Sequence, residues 1–162
     1  GDVIDYVLDG GRCRVGVEST ILQVSTNNTV TLLRPGGVSQ ERIEAVVGPV
    51  RRRRSSKTPS APGMLPSHYA PRTPIRLVDQ PPATPPPARR WGLLALQSPA
   101  CRGYSRCEIL SEDGNLVAAA SRFFESLHRL DHAGLDEIIA VRFPDAGLGR
   151  AMNDRLRRAA HR

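Results

Sequence analysis

Long apolar runs, paired cysteines and glycine-rich nucleotide motifs are all missing from this sequence. No stretch approaches the roughly 20 apolar residues that a membrane-spanning helix needs, and the first residues lack a signal-peptide pattern. The three cysteines are odd in number and lack the spacing of paired zinc ligands, which favours reduced thiols over a disulfide scaffold. We therefore expect a cytoplasmic protein with no membrane span.

Several catalytic signatures are absent as well. The sequence has no Gly-x-Gly-x-x-Gly, no Walker loop and no Gly-x-Ser-x-Gly elbow, so it gives no support to a dinucleotide-binding, P-loop or α/β-hydrolase enzyme. Glu125, His128 and His132 share a helical face and could hold a metal, but no His-Glu-x-x-His pattern accompanies them. We interpret these three as solvated surface and predict neither a metal site nor a tightly bound cofactor.

Positive charge is abundant but concentrated. Of the net charge of +7, Arg51, Arg52, Arg53, Arg54 and Lys57 supply five positive charges in one Ser- and Pro-flanked run. Such a run is typical of a solvated linker, because a nucleic-acid surface needs charges presented on an ordered face. A basic adaptor that binds RNA through this run and through Arg155, Arg157 and Arg158 stays open as the alternative. Aromatic residues, which would stack bases, are only 4% of the chain.

Three regions follow one another along the chain. Residues 1–50 read as strands over 15–24 and 29–33, then a helix over 39–47 with Ser39 as N-cap, ending at Gly48. Residues 51–74 turn to Arg, Ser and Pro and predict an interdomain linker, although the apolar and aromatic stretch 62–71 indicates that part of it docks on a surface.

Residues 75–162 alternate strand and helix patterns. We predict strands over 75–78, 91–96, 107–110 and 137–141, and helices over 115–130 and 148–160. A proline-rich gap over 80–90 should be extended and exposed. The alternation indicates a small α/β domain with a mainly parallel sheet.

Two groups of polar residues stand where they need partners. Glu18, Ser19 and Thr20 interrupt an apolar run, and a buried polar group must be satisfied. Arg34 precedes a Pro-Gly-Gly turn, where a guanidinium can bind a phosphate or carboxylate while the glycines admit a ligand. Each feature alone is compatible with a purely structural role, and only their combination indicates a site.

That combination resembles a known family. The runs Gly16-Val17-Glu18-Ser19-Thr20-Ile21, Leu33-Arg34-Pro35-Gly36-Gly37 and Ser67-His68-Tyr69-Ala70-Pro71 are similar in order and spacing to the second half of long, two-domain threonylcarbamoyl-AMP synthases. The resemblance continues more loosely through Gly147-Leu148-Gly149-Arg150-Ala151.

The resemblance implies a fold and an activity. The fold would be α/β: the remnant of a YrdC-like twisted α/β domain over 1–50, a linker and lid over 51–74, and a small Rossmann-like domain over 75–162. The activity would be a nucleotidyltransferase that makes L-threonylcarbamoyladenylate from L-threonine, bicarbonate and MgATP, releasing pyrophosphate, for tRNA modification. The product would pass to tRNA threonylcarbamoyl transferase proteins, while direct tRNA binding and a docking role of the last domain stay open.

The resemblance also assigns residues. Ser19 matches the serine that contacts threonine, Arg34 and Tyr69 match ATP-contacting residues, and His68 would belong to the lid. No residue acts as a covalent catalyst. The family's Lys-x-Arg motif has no counterpart here, so we expect this chain alone to be inactive. The short gap over 80–90 also departs from a complete Rossmann-like order, because it cannot form a helix.

Overall fold

The structure, a computed structural model, describes residues 3–11, 13–52, 70–98 and 101–160. Its strands form a three-stranded sheet in the first part of the chain and a four-stranded sheet in the second. The predicted α/β class is confirmed. Within the described residues, no helix combines the length and apolar character needed to cross a bilayer.

The first sheet is built on a hairpin. β1 (Ile21–Val24) pairs antiparallel with β2 (Val30–Arg34), with a register irregularity at the start of β1. Asn28, in the tight turn between them, has the left-handed conformation (φ 59°) that asparagine tolerates. β3 (Arg51–Arg52) adds a short parallel strand beside β2.

The strand predicted over 15–24 is wrong for its first residues. Residues 15–20 are irregular, and the ladder begins only at Ile21. The reason is that the polar groups of residues 18–20 contact the turn after β2 instead of a neighbouring strand. Because a strand pattern records apolar residues, it does not reveal where the hydrogen bonds of a polar interruption go.

The helix predicted over 39–47 is confirmed as α1 (Gln40–Val47). Ser39 is its N-cap, and the Ser39 hydroxyl accepts a hydrogen bond from the backbone N–H of Arg42 at 3.4 Å. Gly48 ends the helix with φ 78°, a conformation that costs glycine little.

The second sheet is entirely parallel. Its strands are β4 (Ile75–Val78), β5 (Trp91–Ala95), β6 (Arg106–Ile109) and β7 (Glu137–Val141), in the spatial order β4-β7-β5-β6. All three neighbouring pairs run parallel, which confirms the predicted sheet type. β7 lies between β4 and β5, so the chain crosses over a strand twice to build this order.

Two helices cover one face of the parallel sheet. α2 (Leu116–Asp131) is capped by the Asn115 side chain, which accepts from the N–H groups of Val117 and Ala118, and α3 (Gly147–Ala159) follows β7. The helices share a core with the sheet that includes these buried side chains: Leu94, Leu110, Phe123, Leu130, Ile138, Met152 and Leu156. This core fixes the position of α3 and of the polar residues it carries.

Loops cover the opposite face of the sheet. Leu93 and Ile139 point to this face and pack with Tyr104. The Tyr104 hydroxyl donates a hydrogen bond to the Pro82 carbonyl at 2.9 Å, and Pro85 is buried. The prediction that residues 80–90 are exposed is therefore wrong at Pro85, because the proline-rich loop packs against Gly103 and Tyr104 beside this face.

Candidate ligand-binding site around Ser19 and Arg34

The structure brings Ser19 and Arg34 into direct contact. Arg34 ends β2 with only 7% of its surface exposed. Its Nη2 donates to the Ser19 carbonyl at 2.9 Å and to the Ser19 hydroxyl at 3.2 Å, and its Nε donates to the same carbonyl at 3.2 Å. The guanidinium therefore fixes both the backbone and the side chain of Ser19.

The turn after β2 packs tightly on the segment 18–20. The Gly37 N–H donates to the Glu18 carbonyl at 2.8 Å, and Val38 forms two hydrogen bonds with the Thr20 hydroxyl at 2.6 and 3.1 Å. A side chain at Gly36 would overlap the backbone of Ser19, so this position requires glycine. Ser19 and Arg34 thus lie in two backbone segments that are held against each other.

Arg155, in the domain that contains the second sheet, contacts both of these segments. Arg155 of α3 is 1% exposed, and its Nε and Nη2 donate to the Glu18 carboxylate at 2.9 and 2.7 Å. Its Nη1 donates to the Pro35 carbonyl at 2.7 Å. Glu18 precedes Ser19 and Pro35 follows Arg34, so one guanidinium joins the two segments that carry the candidate site.

Sequence reasoning missed Arg155, which it placed on a basic surface. The signal that could have found it is helical spacing: Arg155 falls three residues after Met152 and four before Ala159, both of which are buried. Sequence reasoning did indicate that at least one of residues 18–20 needs a partner, and Arg155 is the partner of Glu18. Nothing local in the sequence connects two residues 137 positions apart.

Further ion pairs join the two parts of the chain. Arg150 Nη1 of α3 donates to the Glu41 carboxylate of α1 at 2.6 Å, and Arg52 lies 3.1 Å from Asp145. Burial by itself raises the pKa of Glu41, but hydrogen bonds from its own backbone amide, Arg150 and Ser39 outweigh that effect and lower the pKa to about 2. Glu41 is therefore ionised at neutral pH.

The Cys107 thiol lies away from these residues and is protonated. Burial, together with neighbouring Cys101 and the Glu108 carboxylate, raises the pKa of Cys107 to about 12, so this thiol stays protonated at neutral pH. The Cys107 side chain packs on the loop-covered face of the parallel sheet. Burial and a protonated thiol favour a structural role for Cys107.

His68 and Tyr69, the predicted lid residues, lie outside the described residues. The described residues resume at Ala70, and a cavity of about 410 Å³ lies between residues 70–72 and α2. Its lining is formed by Ala70, Pro71, Arg72, Phe124, Leu127, His128 and Asp131. The lid assignment stays a prediction.

The three residues of the possible metal cluster have other contacts. Glu125 pairs with Arg129 within α2, and the His132 ring contacts the His128 carbonyl at 2.8 Å. In the part of the chain that the structure describes, no group of three His, Cys, Asp or Glu side chains is placed to hold a metal ion.

Comparison with known proteins reveals relatives along most of the chain. A family model described as "Threonylcarbamoyl-AMP synthase, C-terminal domain" matches residues 38–161, more than half of the chain. The threonylcarbamoyl-AMP synthase of Bacillus subtilis is 34% identical over 95% of this chain and 48% of its own length.

Solved structures show the same likeness. A crystal structure of Pyrococcus abyssi Sua5 complexed with L-threonine matches with a TM-score of 0.77 and 30% identity, over 94% of this chain and 48% of that protein. A structure of a variant of that protein, in which a neighbouring His and Tyr are both replaced by Ala, matches with a TM-score of 0.76 and 28% identity, over 94% of this chain and 47% of the variant. The chain spans about half the length of the relatives it matches. On this evidence, the chain belongs to the threonylcarbamoyl-AMP synthase family.

Proposed function

We propose that this chain forms the second half of a cytosolic enzyme that makes L-threonylcarbamoyladenylate from L-threonine, bicarbonate and ATP, and releases pyrophosphate. The observation that carries the proposal is the contact between the exposed Ser19 and the buried Arg34 in a chain of this family. The product would be used by tRNA threonylcarbamoyl transferase proteins in tRNA modification.

Ser19 is the proposed contact for threonine. Arg34 holds its carbonyl and donates to its hydroxyl oxygen, so the hydroxyl proton stays available to a carboxylate or another acceptor of the ligand. The relative from P. abyssi was crystallised with L-threonine, which supports threonine as the amino acid that this family accepts.

Arg34 is the proposed contact for ATP, bound as its Mg²⁺ complex. A guanidinium that is 7% exposed acts on a phosphate at a lower effective dielectric than one on the surface. Its orientation is fixed in advance by two hydrogen bonds to the Ser19 carbonyl, which reduces the entropy lost when a phosphate binds. An arginine held in this way is suited to stabilising negative charge.

The segment ending at Pro71 is proposed as a lid that carries His68 and Tyr69 onto the nucleotide. The P. abyssi variant alters a neighbouring His and Tyr, and this chain has its one His-Tyr dipeptide at these two positions. A closed lid would shield a carbamate and a mixed anhydride from water.

Positioning accounts for the proposed chemistry. The threonine amine and bicarbonate form a carbamate with loss of water, and a carbamate oxygen attacks the α-phosphorus of ATP while pyrophosphate leaves. These steps need aligned reactants and stabilised charge, and no covalent enzyme intermediate.

An exposed apolar surface suggests where the rest of the catalytic domain packs. Val3, Ile4, Tyr6, Val7 and Leu8 are between 68% and 99% exposed. Contiguous apolar residues at such exposure are typical of a surface that another part of a protein covers. The complete enzyme would be this chain joined to a front half of the catalytic domain, and we expect the chain alone to be inactive.

The alternative of a basic RNA-binding adaptor receives little support. Of its three C-terminal arginines, Arg155 is buried against Glu18 and Arg158 pairs with Asp154, which leaves Arg157 exposed. Arg51 and Arg52 are exposed at a strand edge, and Arg52 pairs with Asp145, while Arg53 and Arg54 lie outside the described residues.

Substitutions in the complete enzyme test the residue assignments. Arg34→Ala should weaken ATP binding by about 1.5–3 kcal/mol, the usual contribution of a charge-assisted hydrogen bond, and Tyr69→Ala should also weaken it. Ser19→Ala should weaken threonine binding and leave ATP binding nearly unchanged. Calorimetric titrations with each ligand measure these effects.

The matched control is Arg42→Ala, because Arg42 lies exposed on α1 and its side chain makes none of the site contacts. Circular dichroism establishes that each variant is folded. An Arg34→Ala protein that is folded and binds ATP as tightly as the wild type would return Arg34 to a purely structural role.

A further inference from the structure

Arg155 is a fully buried cation at the junction of the two parts of the chain. It lies on the inward face of α3 beside Met152 and Leu156, yet its guanidinium leaves the apolar core and reaches the first part of the chain. Removing a guanidinium from water is costly unless its donors are satisfied, and here the Glu18 carboxylate and the Pro35 carbonyl accept from all three of its nitrogens.

The two acceptors flank the candidate site on both sides. Glu18 immediately precedes Ser19, and Pro35 immediately follows Arg34. A planar guanidinium that binds a carboxylate through two nitrogens and a carbonyl through the third fixes the distance and angle between its partners. Arg155 therefore fixes the position of the Ser19 segment relative to the Arg34 segment.

A second contact seats the Ser19 segment on the same domain. Gly16 has φ 65° and lies so close to α2 that a side chain would overlap the backbone of Ala120 and Ser121. Val17, the next residue, packs on the core that α2 and α3 share with the parallel sheet. Residues 16–18 are thus held by two helices of the second domain immediately before Ser19.

We propose that Arg155 is a positioning residue through which the C-terminal domain holds the threonine and ATP contacts in their binding geometry. The inference rests on the proposed function of Ser19 and Arg34, and it assigns a role to a domain that need not touch substrate itself. Arg155 acts on the ligands only through Glu18 and Pro35, so its loss should alter substrate binding more than the chemistry that follows.

The test compares Arg155→Lys with Arg158→Lys in the complete enzyme. Lysine keeps the charge but loses the planar fork that binds the carboxylate through two nitrogens and the carbonyl through the third. Arg158 pairs with Asp154 of its own helix, a carboxylate that also accepts from Arg155 Nη1, but Arg158 makes neither of the Arg155 contacts to Glu18 and Pro35. Arg155→Lys should raise KM for both threonine and ATP about tenfold with a smaller change in kcat, since a small misplacement of binding groups is costly. Arg158→Lys should leave both KM values unchanged.

Glu18→Gln serves as a milder variant, because glutamine is similar in shape and still accepts a hydrogen bond. It should raise the two KM values less than Arg155→Lys does, and it carries the test if Arg155→Lys does not fold. Unchanged KM values in the folded Arg155→Lys enzyme, or in Glu18→Gln where it is the folded variant, would overturn the proposal. A lower fraction of active enzyme with unchanged KM values would also overturn it, because that result indicates a purely structural role for Arg155.

A readout without substrate separates this inference from the proposed function. Arg155→Lys should increase amide hydrogen exchange in residues 16–20 and 34–38 relative to Arg158→Lys. Faster exchange in Arg155→Lys, together with a wild-type enzyme that shows no threonine-dependent reaction, would refute the proposed function and retain the positioning contact. Unchanged exchange in both segments would refute the positioning contact whatever the activity.

Discussion

At the residue scale, the candidate site depends on places where one backbone approaches another without an intervening side chain. Gly36 lets the turn after β2 lie on Ser19, and Gly16 lets the chain cross α2. Because a Cβ atom at either position would overlap backbone and not a mobile side chain, neighbouring groups cannot simply rotate away. Both glycines lie within three residues of a predicted ligand contact.

Gly16→Ala should lower the free energy of unfolding by about 2–4 kcal/mol, since it combines a strained left-handed backbone with overlap against α2. The matched control is Gly10→Ala, because Gly10 has no positive φ and a Cβ there would meet nothing within 4 Å. That variant should change stability by less than about 0.5 kcal/mol. Thermal unfolding measures both, and equal stability of the two variants would show that the contact with α2 contributes nothing.

Individual residues also show how much of the candidate site could be predicted from the sequence. The polar triplet 18–20 and Arg34 before Pro-Gly-Gly pointed to a site from sequence alone, because polar groups in an apolar setting require partners. Their direct contact could not be predicted, since it depends on how the turn folds back over residues 18–20. The contribution of Arg155 is a long-range contact, to which local patterns are insensitive.

At the scale of elements, α1 and α3 are joined by an ion pair whose charge can be titrated. The Glu41 carboxylate contacts Arg150 at 2.6 Å, and its pKa falls from the ordinary value of 4.5 to about 2. A carboxylate with a lowered pKa in the folded state stabilises that state above pH 4.5, and the contribution is lost as the pH falls from about 4.5 to about 2. Acid should therefore loosen this contact.

Glu41→Gln should destabilise the protein near neutral pH by about 0.5–1 kcal/mol, a modest amount because solvent screens an exposed ion pair. Half of the Glu41 side chain is exposed, at 48%. The difference between variant and wild type should shrink as the pH falls from about 4.5 towards 2. Denaturant titrations across that range measure it, and a difference independent of pH would exclude ionisation of Glu41 as its source.

The elements themselves were predicted with uneven success, for physical reasons. Strands β4 and β7 and helices α2 and α3 agree closely with their predicted ranges, because buried apolar residues at helical or strand spacing mark them. Helix α1 has no buried residue, and it was predicted from Ser39 and Gly48 at its two ends. Residues 15–20 were assigned to a strand that begins later. The proline-rich loop was expected to be exposed because composition does not reveal that Pro85 packs beside Gly103.

At the scale of the molecule, several ion pairs connect the part of the chain that contains the first sheet to the part that contains the second. Arg155 with Glu18, Arg150 with Glu41, and Arg52 with Asp145 join them through charge. Ion pairs between two parts of a chain favour the relative orientation in which the opposite charges meet. The proposed enzyme therefore depends on both parts, and the C-terminal domain contributes to the substrate site by holding it in place.

The most direct test of this account is threonine-dependent release of pyrophosphate from ATP in the presence of bicarbonate, measured for the complete enzyme and for this chain alone. The complete enzyme should release pyrophosphate only when threonine and bicarbonate are both present, and this chain alone should release none above background. A complete enzyme without threonine-dependent release, or a chain that reacts without the front half of the catalytic domain, would contradict the account.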